Sequence, residues 1–245
     1  MPELLTQCGS ERCNLEQLLA IPEPEQTETY TPLNHYDFAV NVKTLASNML
    51  RDFTFAKEAY ALSASGNKMF GVLSYASKST SDDDPLRLSI GIRNSLDKSL
   101  AAGVAVGTSV IVCDNLMFKG DVTVLRKHSG NMHEELMDQV VTAIYKSQHQ
   151  YSQLCFDAAR MMEITLDKRS SYEYLGILTG EGILSPTQST KAFKELDNPS
   201  HPEFEKSSLW STYNACTEAL KSTPPQSMVR NHSRLHALTE DLYLN

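Results

Sequence analysis

The sequence predicts an α+β fold: an antiparallel β-meander of about six strands packed against a long helix, followed by a helical C-terminal part. Three observations predict it. Short stretches of alternating apolar and polar residues, separated by turn residues, fill residues 52–128. One apolar stripe at helical spacing runs along residues 132–166. From residue 172 to residue 243 the pattern stays helical, broken by Gly and Pro.

Taken in chain order, residues 1–30 form an acidic, weakly structured N-terminal arm. Residues 15–20 suit a short helical turn, which Pro22 and Pro24 stop before the acidic run 23–28. Residues 31–245 follow as a single α+β domain. Asn34 is placed to cap a helix over residues 36–50, where Phe38, Val42, Leu45 and Met49 recur on one face. Strands are expected at residues 54–61 and 69–76 around the turn Ser65-Gly66-Asn67, and at 88–93, where Leu88, Ile90 and Ile92 alternate with polar or small residues. Residues 99–106 and 109–113 read as two strands around Gly107, and 121–127 as a last one. Asn131 and Glu134 resemble a capping box opening the long helix, with Leu136, Val140, Ile144, Tyr151, Leu154, Ala158 and Met161 in one stripe. At 1.5 Å per residue this helix is about 50 Å long. That exceeds what a small sheet covers, so a further face is expected against the C-terminal helices or a second subunit, and a homo-oligomer is expected. Helices follow at residues 172–178, 186–196, 208–221 and 228–243.

Composition excludes several classes. Hydrophobic residues are 41% and charged residues 21% of 245, the balance of a globular chain. No run approaches the roughly 20 apolar residues of a membrane span, and the N-terminus lacks a basic start and an apolar stretch, so no membrane partner and no signal peptide are expected. The five cysteines are scattered and odd in number, which suits a reducing, cytoplasmic location. The net charge of −8 argues against strong indiscriminate DNA binding but leaves room for a local basic groove.

Several stretches together resemble one family, the phage- and plasmid-borne proteins grouped as domain of unknown function 932. They are Pro32-Leu33-Asn34-His35, Met69-Phe70-Gly71, Ile92-Arg93-Asn94-Ser95 with Asp97, and Val112-Cys113-Asp114-Asn115 with Phe118 and Gly120. Arg126-Lys127-His128 and Ser208-Leu209-Trp210 with Tyr213-Asn214-Ala215 and Thr217-Glu218 complete the match. The resemblance spans the chain from Tyr30 and implies a mobile-element origin in a host cell.

In a simple meander the ends of strands 88–93 and 109–113 share an edge, gathering Arg93, Asn94, Ser95 and Asp97 with Asp114 and Asn115. Arg126, Lys127 and His128 then fall on the opposite edge, beside the amino end of the long helix, where exposed N–H groups favour an anion such as phosphate. The bland reading competes: Asn, Ser and Asp are also what tight turns require, and a charge cluster is usually a solvated strand end. Arg93, Lys98, Arg126, Lys127 and His128 are the candidate nucleic-acid or anion ligands, and Asn94, Ser95, Asp97, Asp114 and Asn115 the polar cluster.

No catalytic residue, metal ligand set or cofactor motif is assigned. His232 and His236 stand one helical turn apart with Glu240 a turn further on, but no third partner is visible, so a partly buried or surface pair is the default. Gly103 and Gly107 lack the Lys of a phosphate loop, and Cys113 and His128 fall on opposite edges. Trp210 and Tyr213 read as core.

Three functions fit. The first is binding or annealing of single-stranded DNA, with an order of elements that resembles the Rad52-like annealing proteins; Arg87, Arg93, Lys98, Arg126 and Lys127 would line its groove. The second is an interaction protein that inhibits or redirects a host protein, such as a defence component. The third is an enzyme with an unfamiliar site near Arg93, Asp97 and Asp114.

Overall fold

A computed structural model describes residues 10–79, 86–110, 116–117 and 123–245. The fold is α+β, with a seven-stranded antiparallel sheet and a helical C-terminal part. The chain divides into two units, one drawn from Pro2–Gly107 and Asp121–Gln150, the other from Thr108–Gly120 and Tyr151–Asn245.

In the first unit the strands are β1 (Ser10–Cys13), β2 (Phe53–Ser63), β3 (Lys68–Ser77), β4 (Leu86–Ser95), β5 (Ala102–Val110) and β7 (Thr123–Arg126), paired in the order β1-β2-β3-β4-β5 with β7 on the outer side of β5. The turn between β2 and β3 uses Gly66 at φ +72°, a left-handed conformation a glycine adopts at no steric cost. Two helices accompany the sheet: α1 (Leu15–Leu19), opened by a capping box of Asn14 and Gln17, and α2 (His35–Met49), capped by Asn34. α2 lies against β2, β3 and β4 and buries Phe38, Ala39, Val42 and Ala46 on that side. The sheet answers with Leu73, Tyr75, Leu88, Ile90 and Ile92, all buried. Each such side chain contributes about 1.5–3 kcal/mol on leaving water.

Two expectations change here. The arm is not featureless: Ser10–Cys13 pairs with the end of β2 as an edge strand, through Arg12↔Ala61 and Cys13↔Tyr60. The stretches around Gly107 are one strand rather than two, since β5 runs unbroken from Ala102 to Val110. One reversal fewer moves the basic cluster. β7 pairs with the start of β5, Ala102↔Arg126, so Arg126, Lys127 and His128 lie on the edge where β4 ends, beside Ser95.

The long helix α3 (Met132–Glu163) belongs to the first unit up to Gln150 and to the second from Tyr151. All seven residues of its predicted stripe are buried. In the second unit β6 (Leu116–Met117) pairs with Thr108 and Ser109 of β5. Four helices follow: α4 (Lys168–Gly180), α5 (Pro186–Asp197), α6 (Leu209–Leu220) and α7 (Pro225–Thr239), with a short 3-10 turn at Pro202–Phe204 and a closing π-helical turn, Glu240–Leu244. Asp167, Ser185 and Ser208 cap α4, α5 and α6, each accepting a backbone N–H. Every residue of α6 is buried, which makes it the central helix of this unit. Among the described residues no helix is long and apolar enough to cross a membrane.

Candidate nucleic-acid interface

Side chains alternate between the two faces of a strand, so register fixes which residues share a face. The face turned to α2 is identified by its contacts. Lys43 of α2 pairs with Glu58 at 2.8 Å, and the Tyr75 hydroxyl donates to the Lys43 carbonyl. The pairings Glu58↔Leu73↔Ile90 and Tyr60↔Gly71↔Ile92 extend this face across three strands.

The far face follows from the remaining positions. It carries Arg12 of β1, Lys57 of β2, Lys68 of β3, and Arg87 and Arg93 of β4. Among the described strand residues no acid shares this face. The two acids of the described strands, Glu11 and Glu58, occupy the α2 face. Between the basic side chains the far face is lined by small residues, Ala59, Ala61, Ser74, Ser89 and Gly91, by Val72 and by one aromatic, Phe70. Phe70 sits directly across from Arg93. Both are half-buried, as are Lys57, Lys68 and Arg87, while Arg12 is exposed. The Nε atoms of Arg87 and Arg93 are sealed from solvent without a hydrogen-bond acceptor, and burial holds the Arg93 guanidinium below its usual pKa. Two donors with unmet capacity on an acid-free face favour an anion.

The polar cluster has other work. Asn94 points to the α2 face, where its amide donates to the Leu33 carbonyl at 2.6 Å and to Nδ1 of His35 at 2.9 Å. Ser95 closes the β4–β5 loop, its hydroxyl donating to the Leu100 carbonyl and accepting the Leu100 N–H. Asp97 accepts from the Ser99 N–H and hydroxyl, which is Asx-turn chemistry. Lys98, at φ 64°, holds its ammonium 4.4 Å above the Tyr30 ring. Asp114 and Asn115 lie outside the described residues, as does Cys113.

Arg126, Lys127 and His128 divide. Arg126 faces Glu135 at 3.3 Å, Lys127 is exposed, and His128 is buried against Tyr30, with its carbonyl accepting the Thr31 N–H. Burial keeps the His128 imidazole below its usual pKa, so it carries no charge at neutral pH. The hollow beside the start of α3, about 390 Å³, is lined by Glu23 and Glu134 together with Thr31, Pro32 and His133. Those carboxylates oppose an anion there. Of the residues expected to line a groove, therefore, Arg87 and Arg93 stand on the far face. Arg12, Lys57 and Lys68 were missed; the parity of β2 and β3 was enough to find the two lysines, whereas the strand that carries Arg12 was not expected.

A family model described as domain of unknown function (DUF932) matches residues 26–239. The chain belongs to this family. Comparison with curated proteins and with solved structures finds no match. Within the DUF932 domain, two of the resembling stretches are strand partners residue for residue: Met69↔Asn94, Phe70↔Arg93 and Gly71↔Ile92. Pro32-Leu33-Asn34-His35 joins them through Asn94. These three stretches thus form one patch whose α2 face is an internal latch and whose far face presents Phe70 and Arg93.

Proposed function

We propose that this DUF932 protein binds single-stranded DNA along the far face of its sheet, in the cytoplasm, during replication or recombination of a mobile element. One observation carries the reading: five basic side chains of β1–β4 share one face, and both strand acids stand on the other. Phosphate binding needs such a local surface, and it acts at short range whatever the net charge of the whole chain. A half-exposed aromatic beside an arginine adds what sequence-tolerant strand binding uses, a π-face for a base and a cation for its phosphate.

The test is fluorescence anisotropy of labelled single-stranded DNA, at low salt and near physiological salt. The expected result is binding that weakens steeply with salt, a loss of tenfold or more in Arg93→Glu or Arg87→Glu, and little change in Lys127→Glu. No binding at low salt overturns the reading.

A protein partner is the second reading, favoured by α3. Val141 and Tyr145, one turn apart in the first unit, are 39% and 74% exposed, an unusual setting for a valine and a tyrosine on one helix face. Loss of self-association in Tyr145→Lys, or of a host protein recovered in stoichiometric amount, tests it.

A further inference from the structure

We propose that Asp157, His236 and Glu240 bind a first-row divalent metal ion of the zinc or manganese class. His232 and His236 on α7 and Glu240 at the start of the π-helical turn offer nitrogen and oxygen donors, and the sequence shows no further partner. The second unit supplies one from the last two turns of α3, 79 residues away: Asp157 Oδ2 lies 3.2 Å from His236 Nε2. Glu240 Oε2, one turn on from His236, lies 3.8 Å from the same nitrogen. The three donor atoms fall within 4.8 Å of one another.

These separations suit an ion. Ligands at about 2.0–2.2 Å from a tetrahedral or octahedral centre stand roughly 3–4 Å apart. An imidazole Nε2 carries at most one proton, and at 3.8 Å Glu240 is beyond hydrogen-bond reach of it. Two carboxylates therefore converge on one nitrogen at a site where His236 is 1% and the Asp157 side chain 8% exposed. Asp157 is nearly out of water and Glu240 partly so, and a cation between the two carboxylates offsets their repulsion. A mixed set of one imidazole and two carboxylates favours a transition metal over magnesium or calcium, which take oxygen.

The surroundings suit a metal as well. The Tyr213 hydroxyl stands 3.5 Å from His236 Nδ1, on the side where an outer partner orients a ligating imidazole. Arg160 donates to the Leu244 carbonyl and so ties the π-helical turn that carries Glu240 back to the helix that carries Asp157. The Glu240 side chain is 27% exposed, which leaves an entry path and room for a water ligand.

The experiment uses the full chain, stripped with chelator, dialysed and titrated with Zn²⁺ by calorimetry, with Co²⁺ absorption as a second readout. Expected are about one equivalent of Zn²⁺ bound, a Co²⁺ spectrum with visible d–d bands, and a higher melting temperature with metal. Glu240→Gln, a nearly isosteric change at a partly exposed position, should bind at least tenfold more weakly while its circular dichroism is unchanged. His236→Ala should abolish binding. A wild-type protein that takes up no metal overturns the proposal and leaves a buried Tyr213–His236–Asp157 hydrogen-bond chain. Wild-type affinity in Glu240→Gln and Asp157→Asn overturns it too.

Discussion

The side-chain amide of Asn94 donates to Nδ1 of His35 at 2.9 Å, joining the end of β4 to the start of α2 across 59 residues of chain. The same amide donates to the Leu33 carbonyl, and Nε2 of His35 faces the Gly66 carbonyl at 3.1 Å. Because Nδ1 accepts, Nε2 carries the proton, and the imidazole is neutral with both nitrogens satisfied. Asn94→Ala leaves two buried acceptors without a donor. The expected cost is about 2–4 kcal/mol of stability, read from the urea midpoint at constant m-value.

The latch also predicts a pH dependence. Burial pulls the His35 pKa from 6.5 down to about 4. Between those values the unfolded chain binds a proton that the folded chain refuses. The stability contributed by neutral His35 is therefore fully present above pH 6.5 and is lost as pH falls toward 4. The loss is about 1.4 kcal/mol per unit, roughly 3 kcal/mol in all. His35→Gln removes this titration, so the gap in stability between wild type and variant should shrink by that order between pH 7 and pH 4. A gap that stays constant across the range sinks the assignment.

Gly71 has a steric role on the α2 face. A Cβ there would meet the Tyr60 ring at 2.7 Å and Ile92 Cγ1 at 2.8 Å. Tyr60 is buried and its hydroxyl donates to Glu58, so the ring has little freedom to retreat. Gly71→Ala is expected to lower the melting temperature, at a cost of about 1–3 kcal/mol.

Alternation carried the reading of β2, β3 and β4, because each has one face packed on α2 and a period of two survives in the residues. β1 escaped: four residues in an acidic stretch make too short a pattern, and their pairing with β2 is a tertiary fact. Gly107 read as a break between strands, while the backbone of β5 passes straight through it. That single residue moved Arg126, Lys127 and His128 to the wrong edge. Asn94, Ser95 and Asp97 drew attention as a possible site because the residues that build latches and turns are also those that bind ligands. Asp157 could not be matched to His236 from spacing, since nothing local links positions 79 apart.

Glu218 is the hub of a charged cluster in the second unit. Its carboxylate meets Lys221 Nζ at 2.5 Å and Lys191 Nζ at 3.2 Å. Burial pushes its pKa up, but the two ammonium groups outweigh burial and hold it below the usual carboxylate value. Only 8% of the Lys221 side chain is exposed, so Glu218→Gln takes a counter-charge away from a buried cation. The expected loss is about 3–5 kcal/mol in chemical denaturation at neutral pH. A loss below 1 kcal/mol would mean that the remaining contacts of Lys221 carry its charge.

Phe70 and Arg93 separate the two components of the proposed DNA interface. They are cross-strand partners on the far face, yet one offers only stacking and the other only charge. Phe70→Ala should weaken single-stranded DNA binding by about 1–3 kcal/mol while the slope of log K against log salt is unchanged, since no phosphate contact is lost. Arg93→Ala should weaken binding and reduce that slope by about one. The two changes touch the same patch, so their effects need not add, and the double variant measures the coupling. A salt slope that falls equally in both variants would show that Phe70 acts by holding the Arg93 guanidinium in place rather than by stacking on a base. Should neither variant alter affinity or slope, the strand does not cross this face, and Lys98 and Lys127 at the β4–β5 end become the residues to reverse next.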